Sequence, residues 1–295
     1  MAAEPAQTDG HATPPARPDP ARLLERSRTL EPLPASAAAL AALLNQDEWM
    51  IRDVEDVVRG DLGLTSRVLR YANSAWSAHL PTVGTVRDAI LRLGVGTVLS
   101  LAVAEGVRPK LMTALPAFDL QPGRLWQHAV ASALAAELVM RRVPVEVRPE
   151  AVTAALLHDV GKVLLDEALD GPRLATLREA WLRQAQPRLE AERDVIGIDH
   201  ATLGSLVVEH WGLPATVARA VRHHHTPSDD PTPTGDTVHL ANGLAKLAGF
   251  GPLIAELDGP IEREALARLS LDASDIHALC ADLADRMQTG RERFH

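Results

Sequence analysis

Apolar positions along this chain recur with the period of a helix, in a succession of short amphipathic runs. After Leu33-Pro34, Ser36 reads as an N-cap, and Ala39, Leu40, Leu43 and Leu44 follow on one face. Asn45 to Glu48 breaks that run. Ile51, Val54, Val57 and Val58 predict a second helix ending near Gly60. Leu64, Val68, Leu69 and Ala72 predict a third, with Thr65 and Ser66 near its start. Val86, Ala89, Ile90 and Leu93 predict a fourth, stopped at Gly94. Val98 to Val107 is almost wholly apolar and reads as a buried fifth helix. No stretch alternates as a half-buried strand does.

Thr113 to Gly123, with Pro116 and Pro122, reads as a loop and as the internal boundary. Helices resume over Leu125 to Arg142, Glu150 to Val160 (terminated by Gly161) and roughly Arg173 to Gln184. Asp199 is placed to cap a helix from His200 to His210 that Gly212 ends. Pro214 suits the first position of the next, which the pattern carries to about His225. Thr226 to Gly235 reads as a loop, Asp236 to Ala248 as a helix, and Ile261 to Arg286 as one or two more. The prediction is an all-α protein. Its parts are a disordered tail over 1–20, a helical half over 21–115, a helical bundle over 116–250 and a helical extension over 251–295.

Composition narrows the classes. The first twenty residues carry five prolines and little to bury, which predicts disorder and leaves His11 a tail residue. Nine aromatics in 295 residues leave the core to Leu, Ala and Val. A formal charge of −9 speaks against nucleic acid as a partner, because such binding rests on neutralising phosphates. The one cysteine, Cys280, excludes an intrachain disulfide and suits a reducing compartment. No run of about 18 apolar residues suggests a membrane span. The expected location is cytoplasmic.

Histidine placement is the most informative chemistry among the twelve present. His128 shares a face with Leu125, Ser132 and Ala135 of an Ala-rich helix. His158-Asp159 follows the apolar run AVTAALL, in a last helical turn where adjacent side chains still converge. His200 opens a helix, and His223, His224 and His225 close another. Neutral imidazole and carboxylate together are ligands for Zn, Fe, Ni or Mn. Each residue also has a structural account. A lone inward His128 suits a hydrogen-bonded core, histidines at a helix C-terminus answer its dipole, and Asp199 is first a cap. His79, His210, His239, His277 and His295 read as surface or structural residues. Co-occurrence on four successive helices favours a site.

At these residues the chain resembles the HD superfamily, named for its His-Asp doublet. The match is His128, then His158-Asp159 followed by GKVLL, then DHATLGSLVVEHWGLP and AVRHHH. EPLPASAAALAALLNQ, GDLGLTSRVLRYANSA and TVRDAILRLGVGTVLSLAVAEG make it similar, more closely, to the HDOD family of bacterial signalling output domains. The resemblance covers Leu33 to roughly Gly249. It implies an N-terminal helical half packed on an HD-like bundle. It also implies a divalent metal (Mn, Fe, Zn, Ni or Mg) held by His128, His158, Asp159 and a late-helix Asp. That fourth position here is Asn242. His200 with His223 or His224 could instead complete the shell. The Gly-Tyr-Pro loop of the cyclic-dinucleotide branch has no counterpart in TPSDDPTPTGD.

Lys162 reads equally as a cation meeting a phosphate oxygen or as a lysine at a helix C-terminus. No catalytic residue is assigned. The first functional expectation is a signalling output or scaffold module with a protein partner whose input arrives from another chain. Asn73, after the Arg67/Arg70 helix, marks the candidate partner surface or a helix end. The second expectation is a metal-dependent phosphohydrolase with a nucleotide or related phosphate ester as ligand.

Overall fold

The computed structural model describes residues 32–46, 48–74, 81–183, 187–251 and 261–289, with Leu23 and Glu25. The expected tail, and with it His11, lies outside the described residues, as do His79 and His295. Every named element is helical, and among the described residues the one β feature is an isolated bridge between Leu115 and Leu120. No single described helix is long and apolar enough to cross a membrane.

The N-terminal part runs through α1 (Ala35–Leu44), α2 (Ile51–Arg59), α3 (Leu62–Ala72), α4 (Val86–Leu93) and α5 (Val95–Leu111). Caps set three of the starts. Asp61 and Thr85 each accept a backbone N–H from the first turn, of Leu64 and Asp88. The Asp53 side chain accepts the Met50 N–H. Ser36 is not the cap its position suggested: Pro34 stands there, and Ser36 donates to Asp61 Oδ2 at 2.7 Å, tying α1 to α3. Asn73 ends α3, and its amide bonds both ways with the Val83 backbone at 2.8 Å. That side chain is therefore spent on closing the 74–83 connection.

Helix α5 is the hinge of the packing. It is buried nearly all round, as its unbroken apolar run demands. On one side it meets α1, α3 and α4, and on the other α6 (Arg124–Arg142) and α7 (Ala151–Leu157). Gly96 permits the α7 approach, because a Cβ there would overlap the Pro149 carbonyl. One hydrophobic cluster thus runs from the N-terminal helices into the bundle, passing beneath the 113–123 segment. Phe118 of that segment is itself in the cluster.

The bundle continues with α8 (Gly161–Ala168), α9 (Gly171–Arg183), α10 (Arg188–Ile196), α11 (His200–His210), α12 (Ala215–Arg222) and α13 (Pro233–Ala245). Two helices, α14 (Arg263–Arg268) and α15 (Ala273–Thr289), follow. α13 lies along α6 and touches α7 and α12, and α11 bridges α8 and α12. Periodicity overlooked α10, a mostly polar helix, and started α13 three residues late, because Thr232 caps it and Pro233 opens it. Gly161 does not stop a helix but opens α8. A Cβ there would overlap the His200 carbonyl, so the glycine serves close approach of α8 to α11.

Candidate metal centre

The site is assembled from helix ends. His128 stands on the second turn of α6, with Nδ1 3.1 Å from the Phe250 carbonyl oxygen. His158 and Asp159 occupy the tight turn between α7 and α8, and His158 Nδ1 lies 2.8 Å from the Ala155 carbonyl oxygen. His200 is the first residue of α11, whose cap Asp199 accepts the Thr202 N–H at 2.7 Å. His224 follows the end of α12, with Nδ1 2.7 Å from the Val221 carbonyl oxygen.

A carbonyl oxygen only accepts, so His128, His158 and His224 each carry their proton on Nδ1. In the neutral rings that leaves the Nε2 lone pairs facing inward, onto Asp159. His128 Nε2 lies 3.1 Å from His158 Nε2, and the two are 3.6 and 3.4 Å from Asp159 Oδ2. On the other oxygen, Asp159 Oδ1 is 3.3 Å from His200 Nε2 and 3.7 Å from His224 Nε2. His225 joins here, its Nε2 3.0 Å from that of His200. Ligands about 2.1 Å from a shared ion sit about 3.0–3.5 Å apart, which is the scale of these separations. A trio and a quartet therefore share Asp159, the first with His128 and His158 and the second with His200, His224 and His225.

The pocket is largely buried: His158, His200 and His224 have no exposed surface, Asp159 and Lys162 have 3% and 2%, and His225 is partly exposed. Burial opposes charge on Asp159, yet Lys162 and His158 hold its carboxyl well below the usual range. The Lys162 Nζ is 2.8 Å from Asp159 Oδ2. His200 is likewise opposed by burial, but Glu192 and Asp159 outweigh it and raise the imidazole to about 9. Glu192 Oε2 accepts from both His200 Nδ1, at 2.7 Å, and His200 N, at 2.8 Å. Burial and the neighbouring imidazoles push His224 and His225 well below the ordinary histidine value.

The structure brings His128, His158, Asp159, His200 and His224 together. His223 stands apart: it is the C-cap of α12, and His225 takes the place expected of it. The reason is that α12 stops at Arg222, so the following turn swings 224 and 225 inward. Asn242 is buried on α13, beside α6 and α7. Lys162 lies in the first turn of α8, not at a helix C-terminus, and its ammonium is engaged by Asp159. His239 supports the His224 turn, with Nδ1 2.8 Å from the His224 carbonyl oxygen and Nε2 accepting the Glu262 N–H. Sequence reasoning missed Glu192 and His225. The AVRHHH run could have flagged His225, whereas nothing local marks Glu192.

Asp159 Oδ1, His224 Nε2 and Asn242 Oδ1 are buried without a hydrogen-bond partner among the described residues. Two of these, Asp159 Oδ1 and His224 Nε2, lie within the histidine cluster, a donor set that fits a divalent cation. Such an ion, when bound, supplies Lewis acidity and a water of lowered pKa. Asp159 and the Nε2 atoms of the histidines would hold it, and Glu192 would orient His200 from behind.

The model of the HDOD domain matches residues 30–227. Among solved structures, a chain provisionally assigned to signal transduction from Marinobacter aquaeolei VT8 superposes with a TM-score of 0.67 at 25% identity. That match covers 90% of this chain and 59% of that one. A provisionally assigned phosphohydrolase from Shewanella amazonensis SB2B gives 0.64 at 24% identity, over 93% and 97% of the two chains. An HDOD domain protein of unknown function from Geobacter sulfurreducens gives 0.61 at 21%, over 90% and 98%. An uncharacterised Treponema pallidum protein is 22% identical over 226 residues, and the match spans 75% of this chain but 43% of the relative.

Proposed function

Because the chain belongs to the HDOD domain family, we propose that it is a signalling output or scaffold module of a bacterial pathway, acting through a protein partner, with a buried pocket that holds one divalent ion. The convergence of Nε2 lone pairs on Asp159, with Nδ1 of three histidines committed to backbone carbonyls, carries the metal part. Burial favours a structural or sensing role for the ion. A phosphate ester and its attacking water need open coordination positions, whereas His128, His158, Asp159, His200 and His224 are 0–3% exposed, His225 alone is partly exposed, and Lys162 lies on one oxygen of Asp159. Asn242, a neutral group where an anion would stand, weakens support for a second ion. Two divalent ions about 3.5–4 Å apart need several carboxylates, and Asp159 is the single one in the cluster.

One observation favours the hydrolase alternative: the two oxygens of Asp159 face different histidines, an arrangement suited to bridging two ions. Metal analysis of the purified protein, followed by phosphate release from a nucleotide panel with Mn, Mg, Fe or Ni, separates the readings. The expected result is at most one ion per chain and no turnover. Two ions with turnover of about 1 per second or faster would replace the scaffold with the enzyme.

A further inference from the structure

A cavity of about 550 Å³ lies between α3 and α5, and none of its lining residues belongs to the histidine pocket. Its lining joins the RVLRYANSA segment to the far end of the buried helix. Leu101, Ala104 and Met112 give it an apolar wall along one face of α5. Arg67 and Arg70, one helical turn apart on α3, and Arg108 on α5 bring three guanidinium groups to it. Glu105 is the one carboxylate in the lining. Asp61, whose carboxyl the Leu64 N–H and Arg67 help to hold below the usual range, stands beside them, so three cations meet two anions here on a chain whose formal charge is −9.

Glu105 answers only part of this charge. Its Oε2 is 2.5 Å from Arg67 Nη1, while the Arg67 Nε is buried without a hydrogen-bond acceptor among the described residues. Gly63 gives the Arg67 guanidinium its room, since a Cβ there would come 3.3 Å from Nη1. Guanidinium forks match phosphate oxygens in pairs, and the excess of cations suits an anionic group. The volume falls within the range of about 300–1,000 Å³ usual for small-molecule sites.

We propose that this cavity binds a small organic phosphate, with the phosphoryl group on the arginines and an apolar or aromatic body on the Leu101–Met112 wall. The site gives an N-terminal half built of signature segments a ligand of its own, independent of any metal. The test titrates the full chain, in EDTA, with phenyl phosphate, inorganic phosphate and phenol by calorimetry. Phenyl phosphate is expected to saturate one site, at least about tenfold more tightly than inorganic phosphate, and to weaken as salt is raised. Arg70→Glu, an exposed position, is expected to cost about tenfold or more. Ser66→Trp, which fills the cavity from its exposed lip without changing charge, is expected to abolish binding. Absence of saturation to a Kd of about 10 mM, equal binding of phenol, or binding that survives both variants overturns the proposal.

Discussion

Replacing Lys162 by Met tests the electrostatics of the centre most directly. Its ammonium and the Asp159 carboxylate are 2.8 Å apart, with side-chain exposures of 2% and 5%. At an effective dielectric of about 20 the gross attraction is about 6 kcal/mol. Desolvation of the lysine offsets part of that, and breaking one side of a buried pair costs about 3–5 kcal/mol in measured cases. Met keeps the length and apolar bulk of the stem, so packing against Phe118, whose ring lies 5.7 Å from Nζ, is largely retained. In EDTA the variant should therefore melt about 10 °C below wild type, taking roughly 2–4 °C per kcal/mol for a domain of this size. Excess Mn or Zn should reverse the order of sensitivity. The ion no longer competes with an ammonium for Asp159 Oδ2, so its affinity should rise about tenfold or more, and the metal-induced rise in Tm should exceed that of wild type. Adding His158→Ala should remove that extra rise. Equal Tm values in EDTA, or a metal response no larger than wild type, would refute the view of Lys162 as a resident counter-ion that an incoming metal displaces.

Three further outcomes follow from single positions. Gly161→Ala should cost more than about 3 kcal/mol and impair metal binding, because the new methyl meets the His200 backbone; a variant with wild-type Tm and metal content contradicts this. Asn242→Asp should tighten metal binding by restoring an anionic acceptor whose present Oδ1 is buried and unpaired; competition against a fluorescent chelator reads it, and unchanged affinity counts against Asn242 as a ligand. Glu137 is a buried carboxyl that burial pushes up, against the pull of Arg286, Tyr71 and Thr97. The native state then keeps a proton that the unfolded chain loses near 4.5, so this group's contribution to stability declines as pH rises from 4.5 through the raised native value. Glu137→Gln should remove that decline, so the Tm difference between variant and wild type should grow in the variant's favour from pH 4 to 7; a pH-independent difference would argue otherwise.

Local chemistry was enough for much of the architecture. Helical period set α2, α4 and α5 within a few residues, because each buries one continuous face or, in α5, nearly all of its surface. Asp199 was legible as a cap, since its carboxylate satisfies backbone two to three residues away. His128, His158, Asp159, His200 and His224 stood out by residue type at helix ends, and the fold brings those five together. What stayed hidden depends on contacts between distant segments. Glu192 sits on a polar helix with no apolar period, and its worth arises only where α10 turns back to lay it on His200. Gly161 looks like a stop signal until the backbone of α11 is seen against it. The choice of His225 over His223 turned on where α12 ends, a matter of one residue that sends a side chain either to solvent or into the pocket. Lys162 shows the same limit: a lysine beside an acid three residues back is ordinary in a sequence, and only burial sets that pair at the heart of the histidine cluster.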